Sequence, residues 1–218
     1  MKDEEIISLW KLQEAKLEQT MAINMQLVKE IKSQKAQKAL RSLKIFKAGG
    51  VVTGIIYLMI LGALLSFAIR HYSPAANYFI VSMGAIFIIN VKAVADYIKH
   101  LVWASEISYE GSVVEIQEKL ARLELSIIAH TRVMFLQLPF WTTFYLSSSW
   151  FPQSAAWGYV VLQCTITALF TWLAYWLYKN ITIENANKKW FKGLINGSGV
   201  KSVREAWEYY HEIEEFKK

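Results

Sequence analysis

The sequence predicts an all-α protein: a four-helix transmembrane protein with long cytoplasmic helical extensions, namely an N-terminal helix and an antiparallel coiled hairpin. Three observations indicate this. Four long stretches contain no charged side chain, Lys and Arg concentrate on alternate pieces between them, and the charged pieces repeat apolar residues at helical spacing. A hydrophobic fraction of 54% is high for a soluble domain, whereas 19% charged residues is more than a bare membrane anchor needs.

The four apolar stretches have the length of membrane-spanning helices. Each holds 18–24 residues, close to the ~20 that cross a ~30 Å hydrocarbon core at ~1.5 Å per residue. We therefore predict a membrane domain over 48–178, with spans at 48–69, 74–91, 133–151 and 155–178. The short connections 70–73 and 152–154 make the first two spans, and the last two, antiparallel neighbours.

The distribution of positive charge predicts the orientation. Residues 1–47 hold ten Lys and Arg, 92–132 hold five and 179–218 hold eight, whereas the two short connections hold one between them. Positive charge in short loops stays cytoplasmic during insertion. Both termini and the 92–132 loop are therefore expected in the cytoplasm.

The first 47 residues are predicted to form a cytoplasmic helix with an apolar side, made by Ile7, Trp10, Leu17, Met21, Val28 and Ile31. Such a side packs against another helix, either of this chain or of a partner. Trp10, Leu17 and Met21 are its expected partner-binding residues.

Basic residues recur at every third position from Lys29 to Lys47. At 100° per residue this series winds around a helix and cannot form one stripe, which argues against nucleic-acid binding. The three nearest the membrane, Arg41, Lys44 and Lys47, are expected at the lipid headgroups, each contributing roughly 1 kcal/mol.

The 92–132 loop reads as an antiparallel helical hairpin that turns at Gly111. Its predicted seam has alternating spacings of three and four residues: Val94, Tyr97, Leu101, Ala104 and Ser108, then Val113, Ile116, Leu120, Leu123 and Ile127. In the cytoplasmic tail 179–218, Gly197 and Gly199 interrupt the chain before an amphipathic helix over 200–216. Trp207 and Tyr210 on that helix are further expected partner-binding residues, with intramolecular packing as the alternative.

No span carries a charge, which argues against the handling of ions or charged substrates in the membrane. The mild polar residues Asn90, Gln137, Thr142 and Thr143 fit hydrogen bonds between helices, and lining of a pore is the alternative. The pair Gly50 and Gly54 has the spacing that lets two helices approach closely, within one chain or between subunits.

No catalytic, cofactor-binding or metal site is expected. The four histidines are dispersed, and the single cysteine, Cys164, excludes intramolecular disulfides and multi-cysteine zinc sites. Asp96 and His100, one helical turn apart, form the one plausible local pair, for which a structural role is the simpler interpretation. The sequence does not predict an enzyme.

The leading segment resembles small bacterial inner-membrane proteins that are often encoded beside extracytoplasmic-function sigma factors. The likeness lies in Leu9-Trp10-Lys11, Lys16-Leu17-Glu18, Leu27-Val28-Lys29-Glu30-Ile31 and Ser42-Leu43-Lys44, and in the four-span layout. It implies a multi-pass protein of the bacterial inner (plasma) membrane that is associated with such a sigma factor. The His and paired Cys of zinc-type anti-sigma domains are absent here.

Together these features predict a non-enzymatic membrane regulator or scaffold that binds a protein through its cytoplasmic helices. The expected partners are the bilayer and a cytoplasmic protein, such as a sigma factor, or further copies of this chain. An oligomeric channel or transporter for a small solute or ion is the alternative function.

Overall fold

The computed structural model describes the backbone of residues 3–107, 113–186, 188–195, 197 and 199–215, and within these ranges every regular element is helical. The all-α prediction is confirmed. The α-helices are α1 Asp3–Arg70, α2 Asn77–Ser105, α3 Val113–Met134, α4 Trp157–Asn180, α5 Lys189–Ile195 and α6 Val200–Glu215. Short 3₁₀ helices cover Pro74–Ala76, Phe135–Thr142 and Ile183–Asn185. The predicted turn at Gly111 lies outside the described residues. So do the side chains of residues 3–9, 29, 32, 113, 114, 207 and 209–215.

Three of the described helices are long and apolar enough to cross a membrane. They lie within Trp10–Arg70, Pro74–Ser105 and Trp157–Asn180, and only 6–17% of their most apolar windows is buried inside the protein. Large exposed apolar surfaces of this kind suit contact with lipid. These helices mark the chain as a membrane protein.

The third predicted span does not form a continuous α-helix. Helix α3 ends at Met134, and the chain continues as the 3₁₀ helix Phe135–Thr142 and then as turns up to 154. Pro139 lies within the 3₁₀ helix, where it has no N–H for the α-helical ladder and its ring would clash with the preceding turn. The hydroxyl of Thr142 donates to the Pro139 carbonyl over 2.7 Å and so satisfies one of the carbonyls that the break leaves free.

This 3₁₀ segment nevertheless runs along α2 in the opposite direction. Three hydrogen bonds mark the course of this segment and of the chain that follows it: Asn90 to Gln137 at 3.1 Å, Ser82 with Thr143 at 2.8 Å, and the Ser147 hydroxyl to the Ala75 carbonyl at 3.0 Å. Fifteen helical residues from 75 to 90 rise about 22 Å. The chain from 137 to 147 covers the same length in ten residue steps. Up to Thr142 it is a 3₁₀ helix, which rises ~2.0 Å per residue, and turns and irregular backbone follow.

The chain divides into two compact units, Met1–Ser42 with Ser202–Lys218, and Leu43–Lys201. Small and aliphatic side chains are the buried ones in the first unit: Ala36, Ala39, Leu40, Val203 and Ala206. The second unit has a core of Leu61 and Leu65 from α1 with Met83 and Ile86 from α2, against which Phe140 and Phe144 also pack.

Helices α2 and α3 pack in antiparallel register. The hydroxyl of Ser126 contacts His100, and the ammonium of Lys119 donates to the Glu106 carbonyl over 3.2 Å. The α3 residues of the predicted seam, Ile116, Leu120, Leu123 and Ile127, are each at most 1% exposed. The coiled character of this hairpin stays a prediction.

Gly50 and Gly54 are used within the chain, between α1 and α2. A Cβ atom at Gly50 would lie 2.2 Å from the Tyr97 ring, and one at Gly54 would lie 2.7 Å from Val94. Both distances are far below van der Waals contact. The small-residue pair therefore allows α2 to approach α1 at this level.

Replacing Gly50 by Ala is expected to destabilise the protein by about 1–3 kcal/mol, because the added methyl group must displace the Tyr97 ring from a packed position. Gly49→Ala is the matched control, since nothing lies within 4 Å of a Cβ at that position. Thermal unfolding in detergent should show a lower Tm for Gly50→Ala and an equal or higher Tm for Gly49→Ala. Equal losses in both variants would contradict the close approach of α2.

Candidate functional site

A buried polar cluster lies between α1, α2 and α3, next to the cytoplasmic end predicted for the first span. We call it the polar cluster; its members are Lys47, Asp96, Tyr97, His100 and His130. Lys47 is 1% exposed, Asp96 8%, His100 0% and His130 4%. Titratable groups are rarely buried so completely unless hydrogen bonds or opposite charges offset the cost of removing them from water. The partners of each group are therefore described in turn.

The carboxylate of Asp96 is the best-compensated group of the cluster. It accepts hydrogen bonds from the ammonium groups of Lys92 and Lys99, the second over 3.1 Å, and lies 3.2 Å from Nδ1 of His130 on α3. A carboxylate only accepts hydrogen bonds, so Nδ1 of His130 carries the proton in this contact. The predicted pairing of Asp96 with His100 is not the one formed. The carboxylate reaches across to the neighbouring helix instead.

His130 is neutral at pH 7. Burial, followed by the nearby ammonium of Lys47, lowers the pKa of His130 to about 4, although the hydrogen bond to Asp96 acts in the opposite direction. A neutral imidazole can donate to Asp96 without adding a second positive charge to the cluster.

His100 and Tyr97 fill the space around this pair. Nε2 of His100 lies 3.0 Å from the Ser126 hydroxyl, while Nδ1 has no hydrogen-bond partner in the described part of the chain. The ring centroids of Tyr97 and His130 are 4.9 Å apart, and those of His100 and His130 are 5.9 Å apart. The three rings therefore lock α2 to α3 by direct packing.

Lys47 approaches the cluster from α1. Its Nζ lies 4.1 Å from the centroid of the Tyr97 ring, which gives a cation–π contact. No described residue accepts a hydrogen bond from this ammonium, although the side chain is fully buried. Lys47 thus differs from Arg41, which is exposed, and from Lys44, which is partly exposed. Of the three residues expected at the headgroups, only Arg41 and Lys44 present their side chains at the surface.

The groups of the cluster are placed for packing and for ion pairing. No group of three or more His, Cys, Asp and Glu side chains among the described residues is placed to hold a metal ion. Its aromatic rings contact one another and the Lys47 ammonium, and the carboxylate of Asp96 contacts His130. What the geometry provides is a rigid junction of three helices and one unpaired cation.

The predicted partner-binding residues of α1 lie on its surface. Trp10 is 73% exposed, Leu17 64% and Met21 59%. Trp207 and Tyr210 belong to α6, but their side chains lie outside the described residues.

The mild polar residues of the spans bond to one another. Asn90 bonds to Gln137, the Thr142 hydroxyl lies 3.0 Å from that of Thr167, and Thr143 bonds to Ser82. These contacts join the 3₁₀ segment to α2 on one side and to α4 on the other.

Sequence reasoning missed Lys47, Tyr97 and His130 as members of one cluster. The register of the predicted hairpin was the available signal, because a turn at Gly111 brings residues near 96 opposite residues near 126, one helical turn from His130. Nothing in the local sequence distinguishes the buried Lys47 from the other basic residues of the series.

Stability is expected to fall as the pH is lowered from about 6.5 to about 4. The folded-state pKa of His130 is about 4 and its ordinary value is 6.5, so the unfolded chain binds the proton first. The contribution of neutral His130 to the free energy of unfolding is complete above pH 6.5 and is lost as the pH falls toward 4. His130→Asn should make the fall of Tm over this range shallower, whereas His71→Asn, at an exposed position, should leave it unchanged. The same dependence of Tm on pH in His130→Asn and in the unmodified protein would contradict the assignment of this effect to His130.

Comparison with known proteins adds no assignment to this geometry. No protein-family model matches the chain, and neither a curated protein nor a solved structure shows significant similarity to it.

Proposed function

We propose that this protein is a non-enzymatic integral membrane regulator or scaffold that binds a protein partner through its cytoplasmic helices. The observation that carries this proposal is the exposed apolar surface of α1 before the first span. Eight large apolar side chains between residues 10 and 31 are at least 50% exposed: Trp10, Leu12, Leu17, Met21, Ile23, Met25, Leu27 and Ile31.

The exposure of these residues has a physical cost. Burying one Leu- or Met-sized side chain contributes about 1.5–3 kcal/mol, so this surface holds a large unused binding energy. Helices gain most of their stability from packing of an apolar face rather than from intrinsic propensity. Both arguments favour the packing of one or more further helices against this part of α1. The positions Trp10, Leu17, Met21, Val28 and Ile31 have the alternating spacing that such helices use.

The proposed topology has four crossings, with both termini and the α2–α3 hairpin in the cytoplasm of a bacterial inner membrane. The uneven distribution of Lys and Arg supports this orientation. The chain from 137 to 147 supports the fourth crossing, since its hydrogen bonds follow α2 over about 22 Å. Irregular backbone is tolerated at membrane depth where protein surrounds it, and here α2 and α4 lie on either side.

The proposed partner is a cytoplasmic protein with an apolar helical surface. The resemblance of the leading segment implies an extracytoplasmic-function sigma factor, and a second copy of this chain would meet the same requirement through α1. No nucleic acid and no cofactor enters the proposal.

A channel or transporter is the weaker alternative. Asn90, Gln137, Thr142 and Thr143 would have to face a water-filled path, but their side chains bond to neighbouring helices of the same chain. Such pairing favours helix packing.

The double variant Leu17→Asp with Met21→Asp should weaken partner binding by at least about 100-fold, because two charges would enter an apolar interface. The matched control is Gln19→Asp with Gln26→Asp, which adds the same charge on the opposite side of α1. Both pairs are exposed, so all variants should keep the Tm of the unmodified protein.

The measurement is a pull-down from detergent extract, with the 1–47 segment present or deleted, followed by affinity measurement with the identified partner and by mass determination of the solubilised protein. Only the 17/21 variant and the deletion should lose the partner or the second copy. The proposal fails if the unmodified protein stays monomeric and captures nothing, or if the 17/21 variant binds as well as the control.

A further inference from the structure

A groove of about 680 Å³ runs along α4, away from the polar cluster. Its lining on α4 lies on one side of the helix and consists largely of small side chains: Cys164, Thr167, Ala168 and Thr171, with Tyr175 one turn further. The opposite wall includes Thr143 and Leu146, where the backbone forms turns and irregular structure. Small residues on α4 and the lack of a regular helix opposite them leave this space open.

The groove lies at the middle of a helix that is long and apolar enough to cross a membrane, Trp157–Asn180. On α4 its lining extends from Gln163 to Tyr175, about 18 Å at the helical rise, which is well within a ~30 Å hydrocarbon core. Cys164, Ala168 and Tyr175 are exposed. The groove is therefore open to the lipid that surrounds α4.

The amide and threonine side chains of the groove are already hydrogen-bonded within the protein. The Gln163 amide donates to the Thr142 carbonyl and accepts from the Tyr145 hydroxyl over 2.9 Å. The hydroxyl of Thr167 lies 3.0 Å from that of Thr142, and Thr171 donates to the Thr167 carbonyl over 2.7 Å. None of the described lining residues carries a charge. These walls favour an apolar occupant over a charged one.

The width of the groove favours a single chain over a helix. A volume of about 680 Å³ over ~18 Å corresponds to a mean cross-section of about 38 Å². An α-helix with its side chains is ~10–12 Å across and needs at least about twice that area. A helix of a second copy is therefore too wide to enter the groove, whereas one hydrocarbon chain is not.

We propose that this groove binds an acyl chain of a phospholipid. The chain lies against the small side chains of α4 on one side and against Leu146 on the other. A chain that leaves the bilayer for the groove stays in apolar surroundings, so its binding depends on van der Waals contact with a preformed surface. Because the lining is uncharged, the chain and not the headgroup determines binding.

The test is native mass spectrometry of the full-length protein, purified in a steroid-based detergent that has no alkyl chain. Phosphatidylcholine and phosphatidylglycerol with the same acyl chains are added in equal amounts. Each protein chain should retain one lipid, and the two headgroups should be retained within about twofold of each other. Retention of phosphatidylglycerol alone would overturn the proposal, because it would show recognition of the headgroup. A dimer that retains no lipid, or a lipid-free monomer, would also overturn it.

Ala168→Trp separates this groove from other lipid contacts of the protein. The indole should fill the groove and lower lipid retention by at least about tenfold. Its Tm without lipid should not fall, since Ala168 is exposed and has the groove beside it. Leu169→Trp is the matched control, because Leu169 is 59% exposed on the same helix and does not line the groove. Full retention by Ala168→Trp, or loss of the lipid from Leu169→Trp, would overturn the proposal.

If Ala168→Trp does not fold, photo-crosslinking of the unmodified protein provides the second measurement. The probe is phosphatidylcholine with a diazirine in its acyl chain. Cross-links should concentrate on groove residues such as Cys164 and Leu146 and exceed those on Leu162 and Leu169, which are exposed elsewhere on α4. Equal labelling of the two sets would count against the groove as a binding site.

Discussion

The carboxylate of Asp96 is the interaction on which the arrangement of α2 and α3 depends. A carboxylate that is 8% exposed is stable only when charged or strongly polar donors surround it. Two of its donors come from α2 itself, and the third is His130 of α3. Sliding α3 by one turn would separate the carboxylate from His130 and also break the contact between His100 and Ser126. The two helices therefore have one favoured register.

That register continues along the apolar part of α2. Beyond the polar cluster, Asn90 meets Gln137 and Ser82 meets Thr143, so each level of α2 faces a later residue of the returning chain. A chain that must return over about 22 Å with ten residues cannot be an α-helix, which would rise only about 15 Å. The 3₁₀ conformation up to Thr142 and the turns after it provide the missing length, and Pro139 makes the α-helical alternative unfavourable.

The sequence was sufficient for the features that repeat along the chain. The all-α fold, three apolar helices and the buried side of α3 follow from hydropathy and from spacings of three and four residues. Features that depend on a neighbouring helix were harder to predict. The 133–151 stretch has the length and composition of a spanning helix, and a proline inside such a stretch is compatible with a kinked α-helix as well as with a 3₁₀ helix. Lys47 belongs to a uniform basic series, and its burial depends on neighbours that are distant in sequence, Tyr97 of α2 and the chain at Gly199. The sequence pairs Asp96 with His100, the nearest histidine, whereas the histidine that contacts its carboxylate is His130 on the other helix of the hairpin.

A double-mutant cycle between Asp96 and His130 tests the central role of the carboxylate most directly. Asp96→Asn, His130→Asn and the double variant are compared by their unfolding free energies in detergent, and the same cycle is measured for Asp96 and His100. The account predicts a coupling of about 1–3 kcal/mol for Asp96 with His130 and less than about 0.5 kcal/mol for Asp96 with His100. A larger coupling to His100, or none to His130, would contradict it.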